Sequence, residues 1–308
     1  MTAAARALDP AALFAGDRRA LARALTAVEN ETPDGLALLR ALDGRLGRAR
    51  VIGITGPPGA GKSTLIGACL AELLRRDRRA AVVAVDPSSP LTGGAILGDR
   101  IRMEAPAADA RVFVRSLASR GHLGGLSRST AWVVDVLDAA GWDVVIVETV
   151  GTGQSEIEIV DLAEQRVVVC APGLGDDVQA LKAGVLEIAD LFVVNKWDLP
   201  LAAQTATQLR GALHLSNRDV EVLGVSSTRG DGVVELVDRL LAGGPASARA
   251  RDPERRLRHL LAELAAERLR RQLRDDLSPR MAALCAAVRG GGLTLEAAAE
   301  QLLATATG

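Results

Sequence analysis

Aromatic side chains are scarce in this 308-residue sequence, which has three Phe, three Trp and no Tyr. So few rings exclude the platform on which proteins stack the bases of single-stranded nucleic acid. Charge of one sign is not in surplus either. Lys and Arg total 37 against 38 Asp and Glu, a formal net charge of −1. General binding to a phosphate backbone requires an excess of cations, so no nucleic-acid partner is expected. Cysteine is rare, and Cys69, Cys170 and Cys285 form no CxxC pair. With His122, His214 and His259 far apart, neither a disulfide framework, a zinc ribbon nor a His/Cys metal cage is indicated. Each cysteine reads as a small core hydrophobe, and His122 as an ordinary loop histidine. No apolar run approaches the roughly 18 residues of a membrane span. Arg and Asp interrupt the N-terminal MTAAARALDPAALFAGDRRALARAL, so it lacks the apolar core of a signal peptide. The expected setting is cytoplasmic, with no membrane partner.

What is present is an ordinary globular balance of 48% hydrophobic and 24% charged residues, in a chain long enough to bury a full core. Residues 1–48 are rich in Ala, Leu and Arg at helical spacing. Asp9-Pro10 and Thr32-Pro33 each place a capping residue before a Pro at the first helical position, which predicts two short helices. Seven short β-rich runs follow: Val51–Thr55, Ala80–Val85, Arg111–Arg115, Asp143–Glu148, Arg166–Cys170, Asp190–Asn195 and Val220–Val225. Several are apolar throughout, as strands buried on both faces must be, and helical patterns lie between most of them. The expected fold is therefore α/β, a mainly parallel sheet covered by helices, with helical extensions at both ends. The boundaries expected are an N-terminal extension over 1–48, a nucleotide-binding domain over 49–245 and a C-terminal extension over 246–308. Residues 243–252 read as a linker. Helices are expected near 278–289 and 294–304, and the mixed charges of 251–280 read as a solvated helix face.

The segment Gly56-Pro57-Pro58-Gly59-Ala60-Gly61-Lys62-Ser63 fits GxxxxGK[ST], between a predicted strand and a predicted helix. Glycines let the backbone turn its amides inward onto phosphate oxygens, and the following helix adds the positive end of its dipole. Lys62 supplies charge to the β- and γ-phosphates, and the Ser63 hydroxyl is a Mg²⁺ ligand. A second motif, Asn195-Lys196-Trp197-Asp198, follows a buried strand. An Asp here accepts from the two N–H groups on the Watson–Crick edge of guanine. Adenine offers no matching pair and would leave the carboxylate unpaired. Lys196 would lie along the base and Asn195 would tie the loop together, with Trp197 as a packing or surface residue. Backbone amides of Ser226, Ser227 and Thr228, after the last strand, are candidates for the guanine carbonyl. GTP and GDP are thus the expected ligands.

Asp86 follows the second strand, Asp99 lies in the same segment, and Glu148 ends the fourth. Ligands of parallel sheets gather beyond the carboxyl ends of strands, so Asp86 and Glu148 are expected beside the P-loop. With Ser63, the three carboxylates form the candidate Mg²⁺ set, because Mg²⁺ takes oxygen ligands and keeps several waters. Glu148-x-x-Gly151 reads as a DxxG-like switch, in which the Gly151 amide senses the γ-phosphate. Arg100, Arg102, Arg115, Arg120 and Arg128 lie in the candidate switch region, where solvated loop positions are expected; no arginine finger is assigned.

Six segments resemble one family, the MeaB/ArgK-type GTPases associated with cobalamin-dependent mutases. They are GPPGAGKST at 56–64 (ending in Thr64), AVDPSSPLTGGAILGDRIRM at 84–103, RSLASRGHLGGLSRST at 115–130, ETVGTGQSE at 148–156, PGLGDDVQALKAG at 172–184 and NKWD at 195–198. The resemblance implies a GTP-hydrolysing chaperone that gates adenosylcobalamin delivery to an acyl-CoA mutase of the methylmalonyl-CoA type and protects it. It also implies a homodimer held through the helical ends, especially the C-terminal one. Asp86, Asp99 and Glu148 would arrange Mg²⁺ and the attacking water. Residues 172–184, with Asp177 and Lys182, would report nucleotide state to the mutase. Trp197 departs from the small residues usual at its position. The competing readings are a GTPase maturing another metalloenzyme, which would want a His/Cys tract; a kinase linked to amino-acid transport, which NKWD argues against; and a nucleotide-locked binding module.

Overall fold

The computed structural model describes residues 8–42, 44–86, 109–118, 128–149, 159, 162–172, 187–242 and 278–306, with scattered positions between 258 and 276. All seven predicted strands form: β1 (Arg50–Thr55), β2 (Ala80–Asp86), β3 (Val112–Ala118), β4 (Val144–Thr149), β5 (Gln165–Cys170), β6 (Leu191–Val194) and β7 (Glu221–Gly224). They make one sheet in the order β3-β2-β4-β1-β5-β6-β7, with every pairing parallel. The P-loop strand β1 lies at its centre.

Successive strand residues point to opposite faces, and the core divides accordingly. Ile52, Ile54, Val144 and Ile146 pack under α4 (Lys62–Arg75) and α7 (Val233–Ala242). Val51, Val145 and Val147 pack on the other face under α5 (Arg128–Ala139) and the N-terminal helices. Val168, Phe192 and Val194 pack beneath α6 (Ala202–Leu215). With both faces covered, β4 is buried at every position.

The N-terminal segment has three helices rather than two: α1 (Pro10–Phe14), α2 (Arg18–Glu29) and α3 (Pro33–Ala41). The expected single helix breaks at Gly16, whose φ of 85° ends α1. Asp17 then caps α2 by accepting from the amides of Arg19 and Ala20. Leu13, Leu21, Leu25 and Val28 enter the same cluster as Val145 and Val147, so these helices share the core of the sheet. Asp138 of α5 fixes the chain between α3 and β1, its carboxylate accepting from the amides of Gly47, Arg48 and Ala49.

Two compact units partition the chain, residues 1–256 and 257–308. The second carries α8 (Pro279–Arg289), capped by Ser278, and α9 (Leu295–Ala306). Arg280 donates to the Gln301 carbonyl at 2.8 Å. Ala298 is the one buried hydrophobic residue among those described in this unit. Cys285 is exposed, not the core hydrophobe expected, because α8 has no buried face. Cys69 and Cys170 are buried as expected, and burial pushes the Cys69 thiol up to about 12. No helix among the described residues is long and apolar enough to cross a membrane.

Candidate nucleotide site

The loop after β1 depends on glycine at three points. Gly56 has φ 141°, and a Cβ there would lie 2.1 Å from the Val169 carbonyl oxygen. Gly59 and Gly61 take left-handed φ values of 82° and 86°. Gly61 is the N-cap of α4 and supplies no side-chain acceptor to its first amides. Those amides and the helix dipole therefore make the loop an anion receptor. Lys62 is buried, and its Nζ donates to the carbonyls of Gly56 at 2.8 Å and Pro57 at 3.2 Å, which arches the side chain back over the loop. Thr64 continues the first turn of α4.

Ser63 Oγ donates to Glu148 Oε1 at 2.9 Å. Both residues are buried, and Glu148 is the penultimate residue of β4, the strand beside β1, opposite Ile54. A hydroxyl and a carboxylate converging next to an anion receptor suit a hard cation that takes its other ligands from phosphate and water. Among the described residues no group of three or more His, Cys, Asp and Glu could hold a metal. The donor chemistry of Ser63 and Glu148 fits Mg²⁺ shared with a nucleotide. Asp86 is the last residue of β2, one strand further out, beyond β4. Its side chain, and all of Asp99, Gly151, Asp177, Lys182 and His122, lie outside the described residues. So do Arg100, Arg102, Arg120 and the side chain of Arg128. Arg115 is not the solvated loop arginine expected: it lies on β3, paired with Glu29 of α2 and donating to Thr26 Oγ1 at 3.2 Å.

The Asn195–Asp198 loop comes down onto the P-loop. Asn195 Nδ2 donates to the carbonyls of Ala60 at 3.0 Å and Gly61 at 3.3 Å, and Lys196 Nζ to that of Gly59 at 2.9 Å. A Cβ on Gly61 would lie 2.5 Å from Asn195 Nδ2, so the approach itself requires glycine. The two motifs, more than 130 residues apart, are one hydrogen-bonded assembly.

The segment after β7 completes it. Ser227 Oγ donates to Asn195 Oδ1 at 2.6 Å, so one amide side chain bridges both loops. Ser226, fully buried, donates from Oγ to Asp198 Oδ1 at 2.6 Å. That bond comes first among the causes holding the Asp198 carboxyl below its ordinary value; the Arg229 guanidinium, 3.9 Å away, adds to it. Thr228 Oγ1 lies 3.4 Å from Ser226 Oγ. Sequence reasoning looked only to the amides of these residues, and the role of their hydroxyls was missed. The signal available was a Ser pair directly after a strand, too common a loop feature to single out. Trp197 is partly exposed and packs on Gly224, in keeping with a packing or surface residue.

The chain is similar to known GTPases. The sequence profile described as methylmalonyl-CoA mutase-associated GTPase MeaB matches residues 21–282. A Pyrococcus horikoshii protein named as a GTPase is 49% identical over 232 residues, covering 73% of each chain. A Caulobacter vibrioides protein, also named as a GTPase, is 41% identical over 316 residues, covering 95% of each. The crystal structure of a LAO/AO transport system kinase superposes with a TM-score of 0.73 at 28% identity, covering 97% of this chain and 96% of that one.

Proposed function

The chain belongs to the MeaB family of methylmalonyl-CoA mutase-associated GTPases, and from that premise we propose that it is a GTP-driven chaperone of a cobalamin-dependent acyl-CoA mutase. It binds GTP, gates entry of adenosylcobalamin into the mutase and protects the loaded enzyme. The observation that carries the reading is the tie of Asn195 and Lys196 to the P-loop carbonyls. It joins the loop read as guanine-recognising to the loop read as phosphate-binding.

The residues divide the work as follows. The amides of 56–64 hold the phosphates, and Lys62 leaves the Gly56 and Pro57 carbonyls to meet the β- and γ-oxygens. Ser63 and Glu148, with Asp86 and Asp99, hold Mg²⁺ and its waters. When bound, the ion neutralises charge developing on the β- and γ-phosphate oxygens. Asp198 accepts from the guanine edge, Ser226 keeps that carboxylate ionised and aimed, and amides of Ser226–Thr228 meet the guanine carbonyl. The Gly151 amide senses the γ-phosphate, and residues 172–184, through Lys182 and Asp177, carry that state to the mutase. The C-terminal unit, poor in buried hydrophobic residues of its own among those described, serves as the dimer contact between two copies in the cytoplasm.

Loading of apo-mutase with adenosylcobalamin, followed by absorbance, tests the proposal. Loading should depend on whether this protein carries GTP or GDP. Loading that proceeds identically with either nucleotide, and without the protein, contradicts it.

A further inference from the structure

Trp197 stands between Lys196 and Asp198, and its indole covers Gly224, the last residue of β7. A Cβ on Gly224 would lie 2.3 Å from Trp197 Cδ2, 2.5 Å from Cε3 and 2.6 Å from Cε2, so the benzo ring rests directly on backbone. Below it there is no slack, since a Cβ on Gly232 would lie 2.4 Å from the Gly224 carbonyl oxygen. The Trp197 amide donates to the Val225 carbonyl at 3.1 Å. One residue further along, Ser226 Oγ reaches Asp198. Trp197 and Asp198 thus grip three consecutive residues, 224 by the ring, 225 by its carbonyl and 226 by its hydroxyl. Lys196, just before them, has a left-handed φ of 55°. A non-glycine residue keeps that conformation only where its surroundings impose it.

We propose that Trp197 is a positioning residue for guanine recognition: its indole, seated on Gly224, fixes the Asp198 carboxylate before the base arrives. The proposal rests on reading Asn195–Asp198 as the guanine loop. A loop ordered in advance loses less freedom on binding. A carboxylate shifted by about 1 Å loses the alignment both of its hydrogen bonds need.

The test compares GDP with IDP, whose base lacks the 2-amino group and so engages one carboxylate oxygen fewer. Affinities are measured on the full chain for Trp197→Ala, Trp197→Phe, Gly224→Ala, the Trp197→Ala/Gly224→Ala double variant and Asp198→Asn. Trp197→Ala should weaken GDP about tenfold and IDP only about twofold, because the lost alignment serves two bonds in one case and one in the other. In GTP hydrolysis the loss should appear in KM, with kcat within about twofold, since the phosphates lie at the other end of the ligand. Trp197→Phe should keep the preference for GDP. Gly224→Ala should copy Trp197→Ala by displacing the ring, and the double variant should be no worse than the poorer single one. GDP affinity unchanged in Trp197→Ala, or GDP and IDP weakened in step, overturns the proposal. Asp198→Asn separates the two levels: if it too leaves GDP affinity unchanged, the guanine loop itself is misassigned and the proposal falls with it.

Discussion

Ser63 Oγ and Glu148 Oε1 lie 2.9 Å apart, a hydrogen bond that joins the first turn of α4 to the end of β4. It is buried, and it places a carboxylate beside the strand that feeds the P-loop. The pairing follows from topology. Parallel β1 and β4 are neighbours in register, with Glu148 opposite Ile54, so a carboxylate near the end of one strand lies close to the loop leaving the other.

Glu148→Gln keeps an acceptor for Ser63 but removes the charge. It should lower Mg²⁺-dependent phosphate release about a hundredfold. GDP affinity measured without Mg²⁺ should stay near that of the unmodified protein. Hydrolysis at full rate would place the metal elsewhere.

Ser226→Ala removes the donor that holds Asp198. A hydrogen bond to a charged group contributes about 1.5 kcal/mol, so guanine-nucleotide affinity should fall about tenfold. The pH dependence has a definite sign. The folded protein depresses the Asp198 pKa, so the ionised form that accepts from guanine persists below the ordinary carboxylate range and is lost only as pH falls through that lowered value. GDP binding should therefore show no acid limb due to Asp198 within or above the ordinary carboxylate range, and in Ser226→Ala the limb should move upward. A limb centred near neutrality in the unmodified protein contradicts the assignment. Fluorescent-nucleotide titration across pH measures both.

Asp138→Ala tests the account of the fold away from the site. The carboxylate serves the amides of Gly47, Arg48 and Ala49; Asp138 and Ala49 are buried, whereas Gly47 and Arg48 lie at the surface. Stripping it should cost roughly 2 kcal/mol, because the buried Ala49 amide loses its acceptor while water can still serve those of Gly47 and Arg48. Denaturant midpoints should show the loss, while GDP affinity of the folded fraction stays unchanged.

Strands and motifs were legible in the sequence because their signals are local. The apolar run Val144–Val147 can only be a strand covered on both faces, and it is. The P-loop announces itself through glycines whose observed φ values only glycine takes easily. Strand order was not legible, because nothing in β4 or β5 alone states that β1 lies between them. The break between α1 and α2 was written in Gly16-Asp17 but masked by the helical run of Ala and Leu on both sides. The Ser226 and Ser227 hydroxyls acquire meaning only when β7 is laid beside β6, which brings their loop against Asp198 and Asn195. Room for Trp197 came likewise from a residue distant in sequence, Gly224.

The most direct test is the rate of GTP hydrolysis by the purified protein, alone and with a mutase of the methylmalonyl-CoA type. The account predicts a slow basal rate that the mutase accelerates, because the partner completes or orders a site that already holds the phosphates and the base. A basal rate unchanged by the mutase, at concentrations where each protein is active, would contradict the proposed coupling.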